Sequence, residues 1–133
     1  MTTSSGGYLL DSHALLWWWF DPDRLSRAVY SLLLDPTREV WVSAASLWEL
    51  SLKHHQGKLP ELAAVITEVS QLLQSDGFQP LSISIAHGLR AGGYQQPHRD
   101  PFDRMLAAQA ELEGFVLITA DPQLANFPCQ TLW

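Results

Sequence analysis

The sequence predicts an α/β domain in which helices pack against a mostly parallel sheet. Short apolar runs alternate with longer segments of helical rhythm along the chain. Phe115-Val116-Leu117-Ile118 is apolar throughout, as a strand buried on both faces must be. The chain has 133 residues, 47% hydrophobic and 17% charged, enough apolar material for one core. We therefore expect residues 1–7 to be a loose tail and residues 8–133 a single domain.

Taken in order, Tyr8-Leu9-Leu10 reads as a strand ending at Asp11, and His13–Phe20 as the helix after it. Asp21-Pro22-Asp23 marks a turn, and Ser26 starts a helix that Asp35-Pro36 stops. Val40-Trp41-Val42 is β-branched and aromatic, a second strand ending at Ser43. A helix over Ser46–His55 follows, closed by Gly57. The apolar spacing over Leu62–Leu73 predicts another helix. Phe78–Ile85 reads as a strand, and Ile85–Ala91 as a short helix before Gly92-Gly93. Asp100-Pro101 opens a helix that Gly114 ends, because proline suits the first helical position and Asp the cap before it. A last strand falls near Gln130–Trp133.

The net charge of −6 argues against a protein that coats nucleic acid through general basicity. One cysteine, Cys129, rules out an internal disulfide framework and a CxxC knuckle, and reads as a small buried hydrophobe. No apolar run reaches the length of a membrane span, and the first residues lack a secretion signal. We therefore expect a cytoplasmic protein with no membrane contact. Adjacent His54 and His55 point in different directions on a helix and cannot form a zinc pair. For His13 and His98 a structural hydrogen bond is the simpler reading.

In an open parallel sheet, function collects at the carboxyl ends of the strands. Asp11 follows the first strand, Asp121 follows the Phe115–Thr119 strand, Glu49 lies in the helix after Ser43, and Asp103 lies in the first turn after Asp100. Each acid also has a plain structural explanation. Asp11 suits a helix cap, and Asp121-Pro122 a turn. Glu49 fits a capping box with Ser46 or an ion pair with Lys53, and Asp103 fits a capping-box role of its own. The set favours chemistry: clustered carboxylates repel unless a cation compensates them. Oxygen-only donors suit Mg²⁺ or Mn²⁺. Such an ion can activate water against a phosphodiester.

Four blocks carry a resemblance. They are Leu9-Leu10-Asp11-Ser12-His13-Ala14-Leu15-Leu16-Trp17; Val42-Ser43-Ala44-Ala45-Ser46-Leu47-Trp48-Glu49-Leu50 with Lys53 and Gly57-Lys58-Leu59; His98-Arg99-Asp100-Pro101-Phe102-Asp103-Arg104 continuing to Ala110; and Leu117-Ile118-Thr119-Ala120-Asp121. In order and spacing the chain resembles PIN-domain ribonucleases of the VapC type, the toxins of type II toxin–antitoxin pairs, from Tyr8 to Trp133. The resemblance implies a PIN-like three-layer sandwich. It places Asp11, Glu49, Asp103 and Asp121 on the family's four acidic positions, holding one or two Mg²⁺ or Mn²⁺ ions and cutting RNA by metal-activated water. It makes Thr119 a supporting hydroxyl, with Ser12, Ser43 and Asp100 alongside. It also implies a cognate antitoxin.

Lys53, Arg99 and Arg104 lie near these acids and are candidates for RNA phosphate contact. Four consecutive aromatics, Trp17-Trp18-Trp19-Phe20, cannot all face one side of a helix, and the surplus is a candidate homodimer contact or antitoxin groove. Alternatives are a non-catalytic RNA- or protein-binding module on the same fold and a metal-dependent phosphohydrolase. An aspartate-nucleophile phosphotransferase usually carries a second Asp two residues after the first, where this chain has His13. A response-regulator receiver would want a late Lys, and none follows Lys58.

Overall fold

The computed structural model describes residues 6–133. Five strands form one parallel sheet: β1 (Tyr8–Leu10), β2 (Val40–Ser43), β3 (Gln79–Leu81), β4 (Val116–Ile118) and β5 (Thr131–Leu132). Their spatial order is β3-β2-β1-β4-β5. The helices are α1 (Ser12–Phe20), α2 (Arg27–Leu34), α3 (Ala44–His55), α4 (Val69–Asp76), α5 (Ile85–Gly93) and α6 (Pro101–Glu113). Among the described residues no helix is long and apolar enough to cross a membrane.

The strands are short, and their side chains alternate between two cores. Leu10, Val40, Val42 and Ile118 face a layer built from α1, α2, α3 and α4. Leu9 and Leu117 face the layer of α5 and α6, with Trp41 packed at its margin. Burial on both faces explains why these strands carry almost no polar residue. The chain runs outward from β1 through β2 to β3, then returns to the other side of β1 as β4. The order therefore reverses between β1 and β4, where open sheets place ligands. At that point the Asp11 amide donates to the Ile118 carbonyl, 3.0 Å away.

Capping residues set most helix boundaries. Ser26 accepts from the Val29 amide, Ser43 from Ala45, and Asp100 from both Phe102 and Asp103. Gly114, at φ 72°, ends α6 in the left-handed conformation that glycine adopts without steric cost.

Three expectations need correction. The Leu62–Leu73 segment is not one helix: two 3₁₀ turns (Pro60–Ala64, Ile66–Glu68) precede α4. The β-branched run Val65-Ile66-Thr67 disfavours a continuous α-helix. Leu62 and Leu73 are buried all the same, so the apolar spacing marked the inward face and not the hydrogen-bond ladder. The strand expected over Phe78–Ile85 is reduced to Gln79–Leu81, because Pro80 offers no N–H and Ser84 already caps α5. Ile85 belongs to α5, which also takes in Gly92 and Gly93.

Of the tail expected over residues 1–7, residues 1–5 lie outside the described part. Gly7 is not loose. Its carbonyl accepts from the Val116 amide, and a Cβ there would fall 2.7 Å from the Phe115 ring.

Polar ties between α5 and α6 reinforce the second core. Arg90 pairs with Glu111 at 2.8 Å, and the Tyr94 hydroxyl donates to the same carboxylate at 2.7 Å. Arg90 and Tyr94 hold the Glu111 carboxyl below its ordinary value. A carboxyl whose folded pKa is depressed adds stability above its unfolded pKa and loses it as pH falls through the folded one. Glu111→Gln should therefore narrow its stability gap to the native protein below about pH 4 in urea titrations across acidic pH. A gap that is constant with pH would deny the carboxylate this role. In the same assay Leu117→Ala, at a fully buried position, should cost about 2–5 kcal/mol. A cost under about 1 kcal/mol would mean that β4 is not part of the packed core described.

Candidate active site

Asp11 ends the central strand and opens α1. Its Oδ1 accepts from the Ala14 amide at 2.8 Å, so the simple capping explanation is true as far as it goes. The residue is also buried, only 5% exposed. Burial pushes its carboxyl up from the ordinary aspartate range, and nearby Glu49 adds to the shift. The Thr119 hydroxyl, the Ala14 amide and the His13 charge act against it.

Glu49 is buried as well and pairs with Lys53 at 2.8 Å, one helical turn on. The capping box with Ser46 does not form: Ser43 caps α3, and the Ser46 hydroxyl is buried with no protein partner among the described residues. Asp103 accepts from His98 Nε2 at 2.9 Å. Its capping alternative is absent too, because Asp100 makes the cap alone. Burial pushes the Asp103 carboxyl up to about 6, opposed by His98 and supported by the charges of Asp100 and Glu49. His98 is in turn raised by Asp103. Glu49 thus acts on both Asp11 and Asp103.

Asp121 follows β4. Its carboxylate accepts from the Gln123 amide at 2.9 Å, and its own amide donates to Thr119 Oγ1 at 3.1 Å. Thr119 therefore joins Asp11 to Asp121 across the reversal between β1 and β4. Asp11 and Asp121 line one cleft of about 600 Å³ with Ser12, His13, Leu16, Trp17, Arg24, Leu50, Lys53 and Glu61. The Ser12 hydroxyl is buried without a protein partner among the described residues. Ser43 and Asp100 hold the starts of α3 and α6, which carry Glu49 and Asp103.

Among the described residues, no three His, Cys, Asp or Glu side chains stand close enough to form a ready-made metal cage. Each acid is held by its own partner: an amide, Lys53 or His98. The donor chemistry nonetheless fits Mg²⁺ or Mn²⁺. The donors are oxygens, and Lys53 is the only lysine or arginine paired with any of the four acids among the described residues. Mg²⁺ is commonly held by one or two carboxylates, with water and substrate phosphate completing its shell.

The basic candidates separate clearly. Arg104 does not face a substrate. Its Nε donates to the Ala91 carbonyl, Nη1 to Gln96 and His98, and Nη2 to Tyr94, at 2.6–3.1 Å. Its guanidinium is committed to the backbone between α5 and α6. Lys53 is shared with Glu49, and Arg99 is exposed with no partner among the described residues. The aromatic run divides as its spacing requires, mostly inward with Phe20 left exposed. Trp17, Trp18 and Trp19 are half-buried against the first core. Phe20 is 37% exposed, and larger apolar exposure lies elsewhere, on Ile85, Leu89, Trp48 and Leu34 above all. His13 is exposed and packs beside Trp17, with no side-chain hydrogen bond among the described residues.

Arg24 enters the cleft without having been singled out in the sequence. No sequence spacing pointed to it: α1 ends at Phe20, and it is the 3₁₀ turn Pro22–Arg24 that carries Arg24 back over Trp17.

This fold and this strand-end acidic arrangement define a class. The PIN domain family matches residues 8–128, and the chain belongs to that family. It is similar to Ribonuclease VapC22 of Mycobacterium tuberculosis, with 33% identity over 118 residues covering 89% of each protein. Its fold is similar to VapBC2 from Rickettsia felis, crystallised bound to a DNA fragment from their promoter. That match has a TM-score of 0.71 at 16% identity and covers 95% of this chain and 98% of the other. A toxin-antitoxin complex from Klebsiella pneumoniae matches with a TM-score of 0.65 at 17% identity, covering 96% and 97%.

The Arg104 assignment has a direct test. Arg104→Lys should destabilise the domain by about 2 kcal/mol or more in urea unfolding, since one ammonium cannot satisfy four spread carbonyls. Full stability with weakened RNA binding would return Arg104 to the substrate.

Proposed function

We propose that the protein is a metal-dependent endoribonuclease, the toxin of a type II toxin–antitoxin pair. The observation that carries this reading is the cleft at the carboxyl edge of the sheet, where buried Asp11 shares a wall with Asp121 and with Lys53, the partner of buried Glu49. Relatedness to Ribonuclease VapC22 supports the same activity.

Asp11 and Asp103 would hold the principal Mg²⁺ or Mn²⁺. Glu49 would bind it too or orient the attacking water, and Asp121 would complete the shell or hold a second ion. When bound, such an ion lowers the pKa of water and offsets charge building on the phosphodiester. The chain's own residues prepare for this. Burial keeps water away from Asp11, Thr119 fixes its carboxylate, and His98 orients Asp103 through one oxygen. Glu49 accepts the Lys53 ammonium, which limits the repulsion among the acids.

The likeness to VapBC complexes supports a cognate antitoxin as partner, and exposed Trp48, Ile85 and Leu89 support a homodimer. A bacterial toxin acting on RNA would work in the cytoplasm.

Asp11→Asn tests the reading while preserving the fold, because Asn caps helices as well as Asp. We expect cleavage of single-stranded RNA to fall by about a hundredfold or more, with unfolding midpoint retained and Mn²⁺ affinity by calorimetry reduced. EDTA should abolish cleavage by the native protein. A folded Asp11→Asn protein that cuts RNA at the native rate would end the proposal.

A further inference from the structure

The cleft shared by Asp11 and Asp121 continues along α1, and its far wall is not needed to hold an ion. Trp17 lies six residues beyond Asp11, about 9 Å along the helix axis. The 3₁₀ turn Pro22–Arg24 brings Arg24 back over it, with Cζ 4.6 Å from the ring centroid. His13 and Trp133 flank the same indole at 5.8 and 5.7 Å. Leu16, Leu50 and Leu59 make the lining apolar behind them.

The charges on this wall are unequal in use. Lys53 is neutralised by Glu49. Arg24 is exposed, and among the described residues it pairs with no carboxylate. Its side-chain contact is the Trp17 ring. An unpaired cation set over an aromatic plane, beside an acidic centre that repels polyanions, needs an explanation. Surface arginines are ordinarily solvated, but this one is fixed at the rim of the cleft. Guanidinium groups and aromatic rings are the surfaces on which unstacked RNA bases settle. The cation also draws the adjoining phosphate toward a site that is otherwise negative.

We propose that Trp17 and Arg24 form a nucleobase subsite. One unpaired base of the RNA strand stacks on the guanidinium–indole pair, and its backbone runs along α1 toward Asp11 and Asp121. The proposal rests on the nuclease reading for its substrate and adds where a base neighbouring the cut is gripped.

Binding can be judged apart from cleavage. A short fluorescein-labelled single-stranded RNA of mixed sequence, and an abasic ribose–phosphate chain of equal length, are titrated against the full chain in EDTA by anisotropy. We expect the native protein to prefer the base-bearing strand by about tenfold, and Arg24→Ala to lose that preference. Arg24→Lys should keep the salt-dependent attraction without restoring the preference, because an ammonium has no plane to stack. In Mg²⁺, Arg24→Ala should raise KM for RNA about tenfold with kcat unchanged.

Trp17→Ala removes a half-buried ring, so the exposed Arg24 carries the test if that variant unfolds. Equal binding of both strands by the native protein overturns the subsite, as does full rescue by lysine. Native RNA affinity in Arg24→Ala with lost capture of the cognate antitoxin would give the wall to a protein partner instead. Absence of RNA cleavage by the native protein would count against the nuclease reading, while the EDTA titration still decides the subsite.

Discussion

Asp11 loses its water where the central strand ends, and much of the surrounding arrangement answers the cost of that burial. A carboxylate in that position must be hydrogen-bonded, paired or protonated. The Ala14 amide and the Thr119 hydroxyl supply the bonds. No lysine or arginine pairs with Asp11 among the described residues, since Lys53 is taken by buried Glu49. The sheet order makes this unavoidable. Because β1 lies at the centre with β2 on one side and β4 on the other, whatever follows each strand is delivered to the same edge.

Compensation within the site is divided and not pooled. Glu49 leans on Lys53, Asp103 on His98, and Asp121 on its own turn. This explains how four acids share one edge without forming a closed cage. Each has a separate partner, and burial above all raises the Asp11 and Asp103 carboxyls. Membership of the PIN family gives the arrangement its chemical context.

Much of this was legible in the residues, where local chemistry alone decides the outcome. Asp100-Pro101 and Gly114 bracket α6 because a cap, a proline and a left-handed glycine act without help from the rest of the fold. The apolar runs of β1, β2 and β4 were legible because burial on both faces leaves no polar alternation. Residues 62–73 were not, since apolar spacing survives a change from α to 3₁₀ turns while the ladder does not. Arg104 was misread because its neighbours in sequence are acids, whereas its partners are carbonyls brought up by the turn between α5 and α6. Gly7 depended on Phe115, more than a hundred residues away along the chain. Pairings of that kind arise only once the sheet has closed.

The four carbonyls gathered by Arg104 leave a mark on how this sequence can drift. The stretch from Tyr94 to His98 has no regular secondary structure, yet it takes its shape from a side chain outside itself. Main-chain oxygens are common to all amino acids, so the Arg104 contacts tolerate exchange at Gln96, whose side chain separately donates to the Asn126 carbonyl, while position 104 stays fixed. A comparison of close relatives should show a variable loop beside an unvarying arginine, the reverse of the pattern in which a loop's own letters encode its path.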